Sequence, residues 1–135
     1  MKNLIIIAFI AAATLTSCKK DCGQWYDTDG KYCIDMRTKF YGTYLGTFTI
    51  GGQTTNNSTL FSVHGEEGKM YWDNDQYVVL TSSTTFDIPL QQRNENGTLM
   101  YFQGNGSISG SQLIMTFTVT VNSQTVPGSF IGNKQ

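Results

Sequence analysis

The most regular feature of the chain is an alternation of apolar and polar residues that begins near residue 39 and continues to the C terminus. In the segment 111–121 every second residue is apolar, and threonines occupy most positions between them; the apolar set is Leu113, Met115, Phe117, Val119 and Val121. A period of two is typical of a β-strand with one buried face. Because a slip of one residue would exchange the two faces, the pattern predicts that Phe117 is buried and Thr118 is exposed.

Earlier segments show the same period, separated by turn signals. The run "FYGTYLGTFTI" places Phe40, Gly42, Tyr44, Gly46, Phe48 and Ile50 on one face, and "TFDIPL" does the same for Phe86, Ile88 and Leu90. Pro89 lacks an N–H, so we expect it at an edge strand or a strand end. Turns are predicted at Gly51-Gly52, at "DNDQ" (73–76) and at "NENG" (94–97).

These patterns predict an all-β fold of about eight strands, connected as an antiparallel meander. Such a sheet hides one face and its edges by closing into a small barrel or a flattened sandwich. Strand glycines at 42, 46, 104 and 106 are compatible with the strong coiling that closure requires. Bulky side chains are available to fill a barrel interior: Phe40, Tyr44, Phe48, Phe61, Phe86, Phe102 and Phe117.

The first 17 residues have a different pattern: Lys2 is followed by an uncharged apolar run from Leu4 to Ala13. This length suits an export signal and is too short for a membrane span, which needs about 20 apolar residues. The run ends in Leu15-Thr16-Ser17-Cys18, which resembles the lipobox of bacterial lipoproteins. The resemblance implies that Cys18 receives a diacylglyceryl group and becomes the first residue after cleavage. Lys19, in place of an aspartate, implies the outer membrane, with the periplasmic or outer leaflet undetermined.

Two further cysteines, Cys22 and Cys33, remain once Cys18 is assigned to the lipid. In an oxidising compartment such a pair favours a disulfide. The alternatives are two free thiols or a metal site, although no histidine lies nearby to complete one. The predicted organisation is therefore a cleaved signal peptide (1–17), a lipidated tether with a disulfide loop (18–38) and a barrel-like domain (39–135).

Charge narrows the range of partners. The chain has a formal charge of −1, and loss of Lys2 with the signal brings it to −2. No basic patch indicates a nucleic-acid partner. The run "DTDG" (27–30) resembles the start of a calcium loop but lacks the remaining ligands, and we interpret it as a turn.

A search for catalytic groups finds weak candidates. His64, the single histidine, lies near Glu66 and Glu67, but acidic residues in a glycine-flanked turn are more often solvated than metal-bound. A Gly-x-Ser-x-Gly elbow is missing from the sequence. Asp73 and Asp75 fall in a turn, where nothing indicates the burial that raises a carboxyl pKa. We therefore predict neither catalysis nor a cofactor or metal.

The runs "FYGTYLGTF", "FDIPLQQ" and "GNGSISGSQLIMTFTV…FIGNK" resemble small outer-membrane lipoproteins with a lipocalin-like or calycin-like barrel. Gly42-Thr43-Tyr44 stands where lipocalins carry Gly-x-Trp. The resemblance implies a fold and a location in the cell envelope, but no catalysed reaction. Several aromatic residues could either fill the core or line a ligand mouth: Trp25, Tyr26, Tyr71, Trp72, Tyr77 and Tyr101.

The leading functional hypothesis is a non-catalytic binding or structural role in the cell envelope. The membrane would be contacted through the lipid on Cys18, and the further partner would be a small ligand, a glycan or an envelope protein. The alternative is an inhibitor of a host or competitor enzyme, as in lysozyme-inhibiting barrel lipoproteins, and a hydrolase ranks below it. An open interior favours binding, whereas a packed core with a projecting loop favours inhibition.

The lipidation hypothesis predicts that Cys18→Ala abolishes labelling by a clickable fatty acid and leaves the precursor uncleaved. Both results follow because the thiol is the acceptor and its modification precedes cleavage in lipoproteins. Metabolic labelling followed by gel electrophoresis measures both. A Cys18→Ala chain that is cleaved and still partitions with membranes would contradict the assignment.

Overall fold

The computed structural model describes residues 21–135, so the predicted signal peptide and Cys18 lie outside the described residues. The described chain is all-β, and eight antiparallel strands close into a barrel in the order β10-β3-β4-β5-β6-β7-β8-β9. The predicted fold class is confirmed, and of its two forms the barrel is the one observed. The elements are β1 Tyr26–Thr28, β2 Cys33–Asp35, a 3₁₀-helix Met36–Lys39, β3 Gly42–Ile50, β4 Gln53–Val63, β5 Lys69–Trp72, β6 Gln76–Leu80, β7 Thr85–Glu95, β8 Thr98–Ser109, β9 Gln112–Val121 and β10 Gln124–Lys134.

The two ends of the barrel differ. One end, the open end, carries four tight turns, at residues 51–52, 73–75, 96–97 and 122–123. Asn96 and Gly97 both have positive φ (52° and 83°), the conformation that a two-residue hairpin turn needs. The other end, the closed end, carries the 3₁₀-helix and the connections at 64–68, 81–84 and 110–111. The turns predicted at Gly51-Gly52, "DNDQ" and "NENG" are present, but the last two are shorter than predicted, because Gln76 begins β6 and Asn94 and Glu95 end β7.

Aromatic side chains pack the closed half of the barrel. Phe40, Phe61 and Phe86 are fully or almost fully buried, and Phe86 contacts the other two with centroid distances of 5.7 and 5.3 Å. The strand register confirms the alternation predicted for β9: Phe117 is 3% exposed, whereas Thr118 is exposed. Gly106 lies directly under the ring of Phe86, where a Cβ atom would collide with it. This glycine therefore makes room for an aromatic ring.

Strand β7 departs from the predicted alternation at a β-bulge. Ile88 pairs with Gly104 but Gln91 pairs with Phe102, so β7 has one residue more than β8 in this interval. The extra residue shifts the alternation, and Leu90, which we expected inside, is 66% exposed. Pro89 was expected at an edge or strand end, but it lies within β7 at this bulge, where its missing N–H leaves no gap in a regular ladder.

The contact between β6 and β7 is the shortest in the barrel, since these strands exchange two residue pairs. Beyond these pairs the side chain of Gln91 replaces a strand neighbour. Its Oε1 accepts a hydrogen bond from the Tyr77 N–H at 2.9 Å, and its Nε2 donates to the Tyr77 carbonyl at 2.7 Å. A side-chain amide thus makes the two bonds that a backbone amide would make in a continuous ladder.

A short hairpin, β1–β2, lies against the closed end. A disulfide joins Cys22 to Cys33, as predicted, with 5.3 Å between their Cα atoms. Trp25 packs against the barrel core, and its indole lies directly over Gly68. Tyr26 donates a hydrogen bond from its hydroxyl to Glu67 at 3.2 Å. The residues predicted as a tether therefore include a segment, from Cys22 onward, that docks on the barrel.

Arg37, in the 3₁₀-helix, connects this hairpin to the barrel. Its guanidinium forms two-pronged contacts with Asp35, from Nε at 2.9 Å and from Nη2 at 2.6 Å to the same carboxylate oxygen. Its Nη1 donates to the carbonyls of His64, Glu66 and Lys69 at 2.8–3.1 Å. The hydrogen bonds from Arg37 hold the pKa of Asp35 below its ordinary value of 3.8. One buried cation thus fixes the connection 64–68.

The ring of eight strands is complete within residues 21–135, since each strand has a neighbour on both sides. This part of the chain therefore closes on itself without any earlier residue. Within the same residues there is no helix of the length and apolarity required to cross a membrane.

We predict that Arg37→Ala lowers the free energy of unfolding by roughly 3 kcal/mol, because three carbonyls and a partly buried carboxylate lose their partner. Arg93→Ala is the matched control: its ion pair with Asp75 is 3.5 Å long and largely exposed, and its loss should cost less than about 1 kcal/mol. Urea melts of both variants of residues 21–135 measure the difference. Equal costs would show that Arg37 is not a structural link.

A candidate ligand cavity at the open end of the barrel

The barrel interior is not filled along its whole length. A cavity of about 620 Å³ occupies the open half, within the range usual for small-molecule sites. It exists because inward positions near this end carry short or polar side chains, such as Thr55 and Asn57 of β4 and Val119 and Val121 of β9. At the closed end the equivalent positions carry phenylalanine and tyrosine.

The floor of the cavity is aromatic and apolar. Phe48, Trp72, Phe102 and Phe117 line it, and their rings contact one another at centroid distances of 5.9–6.5 Å. Met100 and Val126 contribute to the wall nearer the mouth. A molecule entering this space would exchange water for aromatic and aliphatic surface, which is favourable at about 25 cal/mol per Å² of apolar area.

One wall of the cavity is polar, and its centre is Asp73. A chain of hydrogen bonds holds this carboxylate: the Trp72 indole donates to Thr59 Oγ1 at 2.7 Å, and the Thr59 hydroxyl donates to Asp73 at 3.1 Å. The Leu60 N–H donates to Asp73 Oδ1 at 2.8 Å. Asp73 has a φ of 50°, a left-handed turn conformation that aspartate tolerates better than most residues. This turn conformation keeps the carboxylate at the edge of the cavity.

Burial raises the pKa of Asp73 above its ordinary value of 3.8, and the hydrogen bonds from Leu60 and Thr59 only partly oppose this effect. The nearby cation, Arg93, also lowers the pKa, and the charge of Asp75 raises it. We expected no buried carboxylate in this turn. The turn itself is confirmed, but the expectation that Asp73 is not buried was wrong. Asp73 is partly buried, and the sequence does not show which turn faces into a barrel.

The remaining polar groups of this wall are Gln76, Arg93 and Glu95. Gln76 is 2% exposed and lines the cavity, and its side-chain amide makes no hydrogen bond to any of the residues that the structure describes. Arg93 forms its ion pair with Asp75, 3.5 Å away, and Glu95 is exposed at the rim. Gln76 is thus a buried polar side chain with donors and acceptors available to a ligand.

Of the six aromatic residues considered for a ligand mouth, the structure places only Trp72 in the cavity. Tyr71 and Tyr101 lie on the outer surface and are 37% and 39% exposed. Trp25 and Tyr26 belong to the hairpin at the opposite end. Tyr77 lies in β6 opposite Tyr71, on the outer face. The seven residues proposed as interior filling do lie inside the barrel, with Phe48 only partly buried.

The residues near His64 do not converge on one point. His64 Nδ1 accepts a hydrogen bond from the Glu66 N–H at 3.0 Å, and its ring contacts that of Tyr71 at a tilt of 46°, with a centroid distance of 4.5 Å. Glu66 pairs with Lys69, and Glu67 accepts from Tyr26. Among residues 21–135 no three His, Cys, Asp or Glu side chains are grouped as metal ligands would be. In the run "DTDG", Asp27 and Thr28 end strand β1, and the turn begins at Asp29, whose carboxylate accepts from the Lys31 and Tyr32 N–H groups.

Comparison with known proteins adds information on the fold. The sequence matches no family model and no curated protein. A solved structure with a similar fold is a "putative outer membrane protein" from Bacteroides fragilis, with a TM-score of 0.50 and 16% sequence identity. The match covers 73% of this chain and 52% of that one, so this chain spans about half of that protein's length. At this identity the similarity concerns the fold alone.

We predict that Thr59→Val destabilises the protein by about 1–3 kcal/mol, because it leaves the Trp72 indole N–H and the Asp73 carboxylate without their shared partner. Valine keeps the shape of threonine, so little of the cost comes from packing. Thr116→Val on the outer face is the matched control and should stay within about 0.5 kcal/mol. Urea melts followed by Trp fluorescence measure both. If Thr59→Val leaves the stability unchanged, the hydrogen bonds from Trp72 to Thr59 and from Thr59 to Asp73 do not stabilise the protein.

Proposed function

We propose that the protein is a lipid-anchored protein of the cell envelope that binds a small, mainly apolar molecule in the open half of its barrel and catalyses no reaction. The observation that carries this proposal is the cavity of about 620 Å³, which has an aromatic floor and a polar wall. Pockets of this kind, largely apolar with a few placed polar groups, are typical of small-molecule binding.

We further propose that the barrel is lipocalin-like, and the contacts of Tyr44 support this. Gly42-Thr43-Tyr44 opens the first barrel strand, directly after the 3₁₀-helix at the closed end. Tyr44 is fully buried and donates a hydrogen bond to the Phe40 carbonyl at 2.8 Å. Lys134 of the last strand lies over the Tyr44 ring, 5.9 Å from its centroid, and donates to the Lys39 carbonyl. Tyrosine therefore connects the first strand, the last strand and the 3₁₀-helix.

The proposed location is supported by the lipobox and by the outer wall of the barrel. Polar residues of β8 and β9 (Gln103, Asn105, Thr116 and Thr118) are exposed on this wall, next to exposed apolar residues such as Ile114 and Ile131. Barrels that span a membrane carry an apolar band on this surface. We attribute membrane attachment to a lipid on Cys18, and the polar positions of β8 and β9 favour an aqueous compartment for the barrel. The name of the Bacteroides fragilis neighbour agrees with an outer-membrane location.

The inhibitor alternative receives less support from the same geometry. A projecting loop would be needed to block an enzyme, but the four connections at the open end are two or three residues long. The longer connection at 64–68 is held by Arg37. The cavity, by contrast, has an immediate use in ligand binding.

We predict that residues 21–135, secreted so that the disulfide forms, bind the uncharged probe N-phenyl-1-naphthylamine saturably with one site per chain. Val121→Trp places a large ring at the cavity mouth and should weaken binding at least about tenfold, a difference of about 1.4 kcal/mol. The matched control is Thr118→Trp on the outer face of the same strand. Probe fluorescence titrations measure all three proteins. Absence of saturable binding, or equal losses in both variants, would contradict the proposed function.

A further inference from the structure

The charged side chains at the open end are unevenly distributed in sign. Among the described residues, four charged side chains lie near the cavity mouth: Asp73, Asp75 and Glu95 are acidic, and Arg93 is the one cation. Arg93 Nε contacts Asp75, not Asp73, so the nearest cation is paired with a carboxylate that does not line the cavity. The mouth therefore carries an excess of negative charge.

Asp73 retains the capacity to bind a donor from a ligand. A carboxylate offers about four acceptor sites, and within residues 21–135 Asp73 receives hydrogen bonds from two groups, the Leu60 N–H and the Thr59 hydroxyl. Burial raises the pKa of Asp73 more than these hydrogen bonds lower it. A cation at the cavity edge would offset this effect of burial.

Two further groups favour a cationic, hydrogen-bonding head group. The Gln76 side chain is buried, lines the cavity and has no partner among the described residues, so its carbonyl oxygen can accept a second N–H from the same head group. Trp72 and Phe102 present aromatic surface beside the polar wall. Aromatic faces attract ammonium groups and gain most when the contact is desolvated.

We propose that the cavity selects an apolar molecule that carries a protonated amine, with its apolar part on the aromatic floor and its ammonium group between Asp73 and Gln76. This inference rests on the proposed function and adds the ligand class. A carboxylate on the same apolar body would meet Asp73 and Glu95 and lose affinity. An alcohol can donate one hydrogen bond without carrying charge, so it should bind with intermediate affinity.

The experiment measures displacement of bound N-phenyl-1-naphthylamine from residues 21–135 by octylamine, octanol and octanoate, each below its micellar concentration at neutral pH. The apolar tail is constant, so differences report the head group. We expect octylamine to displace the probe at a concentration at least about tenfold lower than octanoate does. Equal potency, or a preference for octanoate, would overturn the inference and leave the proposed function standing. Absence of probe binding would overturn both.

Asp73→Asn removes the charge and keeps an oxygen that can accept from the Leu60 N–H, and asparagine also tolerates the left-handed backbone at this position. In this variant the potency of octylamine should fall to about that of octanol. Asp75→Asn is the matched control, in the same turn but outside the cavity, and should keep the preference for the amine. Thermal melts verify that both variants fold. If Asp75→Asn abolishes the preference as fully as Asp73→Asn does, the general charge of the mouth is responsible and the assignment to Asp73 is wrong. The wild-type series still decides the amine preference if Asp73→Asn fails to fold.

Discussion

Closure of eight strands into a barrel fixes the width of the interior, and the remaining features of the molecule depend on how side chains divide that volume. An interior of this size holds either packed side chains or one small ligand. In the closed half, Phe40, Tyr44, Phe61 and Phe86 take the space completely. In the open half, threonine, asparagine and valine at inward positions leave it empty. The same strands therefore carry a packed core in one half of the barrel and a cavity in the other half.

This division gives different roles to two charged groups, the buried Arg37 and the partly buried Asp73. Arg37 at the closed end has every prong of its guanidinium directed to a carboxylate or a carbonyl. Arg37 is therefore a structural residue, because its hydrogen-bond donors are already used within the protein and are not available to a ligand. Asp73 at the open end is held on one side only and faces the cavity on the other. The difference between a satisfied and a half-satisfied charge distinguishes the structural end from the candidate binding end.

Much of the fold could be predicted from the sequence, because a period of two carries both the strand assignment and the choice of face. The inward set of β9 and the turns at Gly51-Gly52 and Asn96-Gly97 follow from local chemistry alone. The exposure of Leu90 could not be predicted, since a bulge depends on the register with β8. The cavity could not be predicted from the sequence either. Asp73 and Gln76 lie at a turn, and closure of the barrel places Gln76 inside it and Asp73 at the edge of the cavity. One signal in the sequence was available: the inward positions 55 and 57 of β4 carry threonine and asparagine, which do not fill a barrel interior as aromatic residues do.

The disulfide-linked hairpin and the cavity mouth lie at opposite ends of the barrel, and this arrangement has a consequence for the route that a ligand takes. Three residues lie between Cys18 and Cys22, so the proposed lipid attachment point would be within about 14 Å of Cys22 at the closed end. Strands of about ten residues, tilted as in small barrels, hold the mouth about 25 Å farther away. With the proposed lipid on Cys18, the cavity mouth would face away from the bilayer that holds the anchor. Its cargo would then arrive from the surrounding water or from a facing surface, as free molecules, and could not be drawn directly out of the leaflet that holds the anchor.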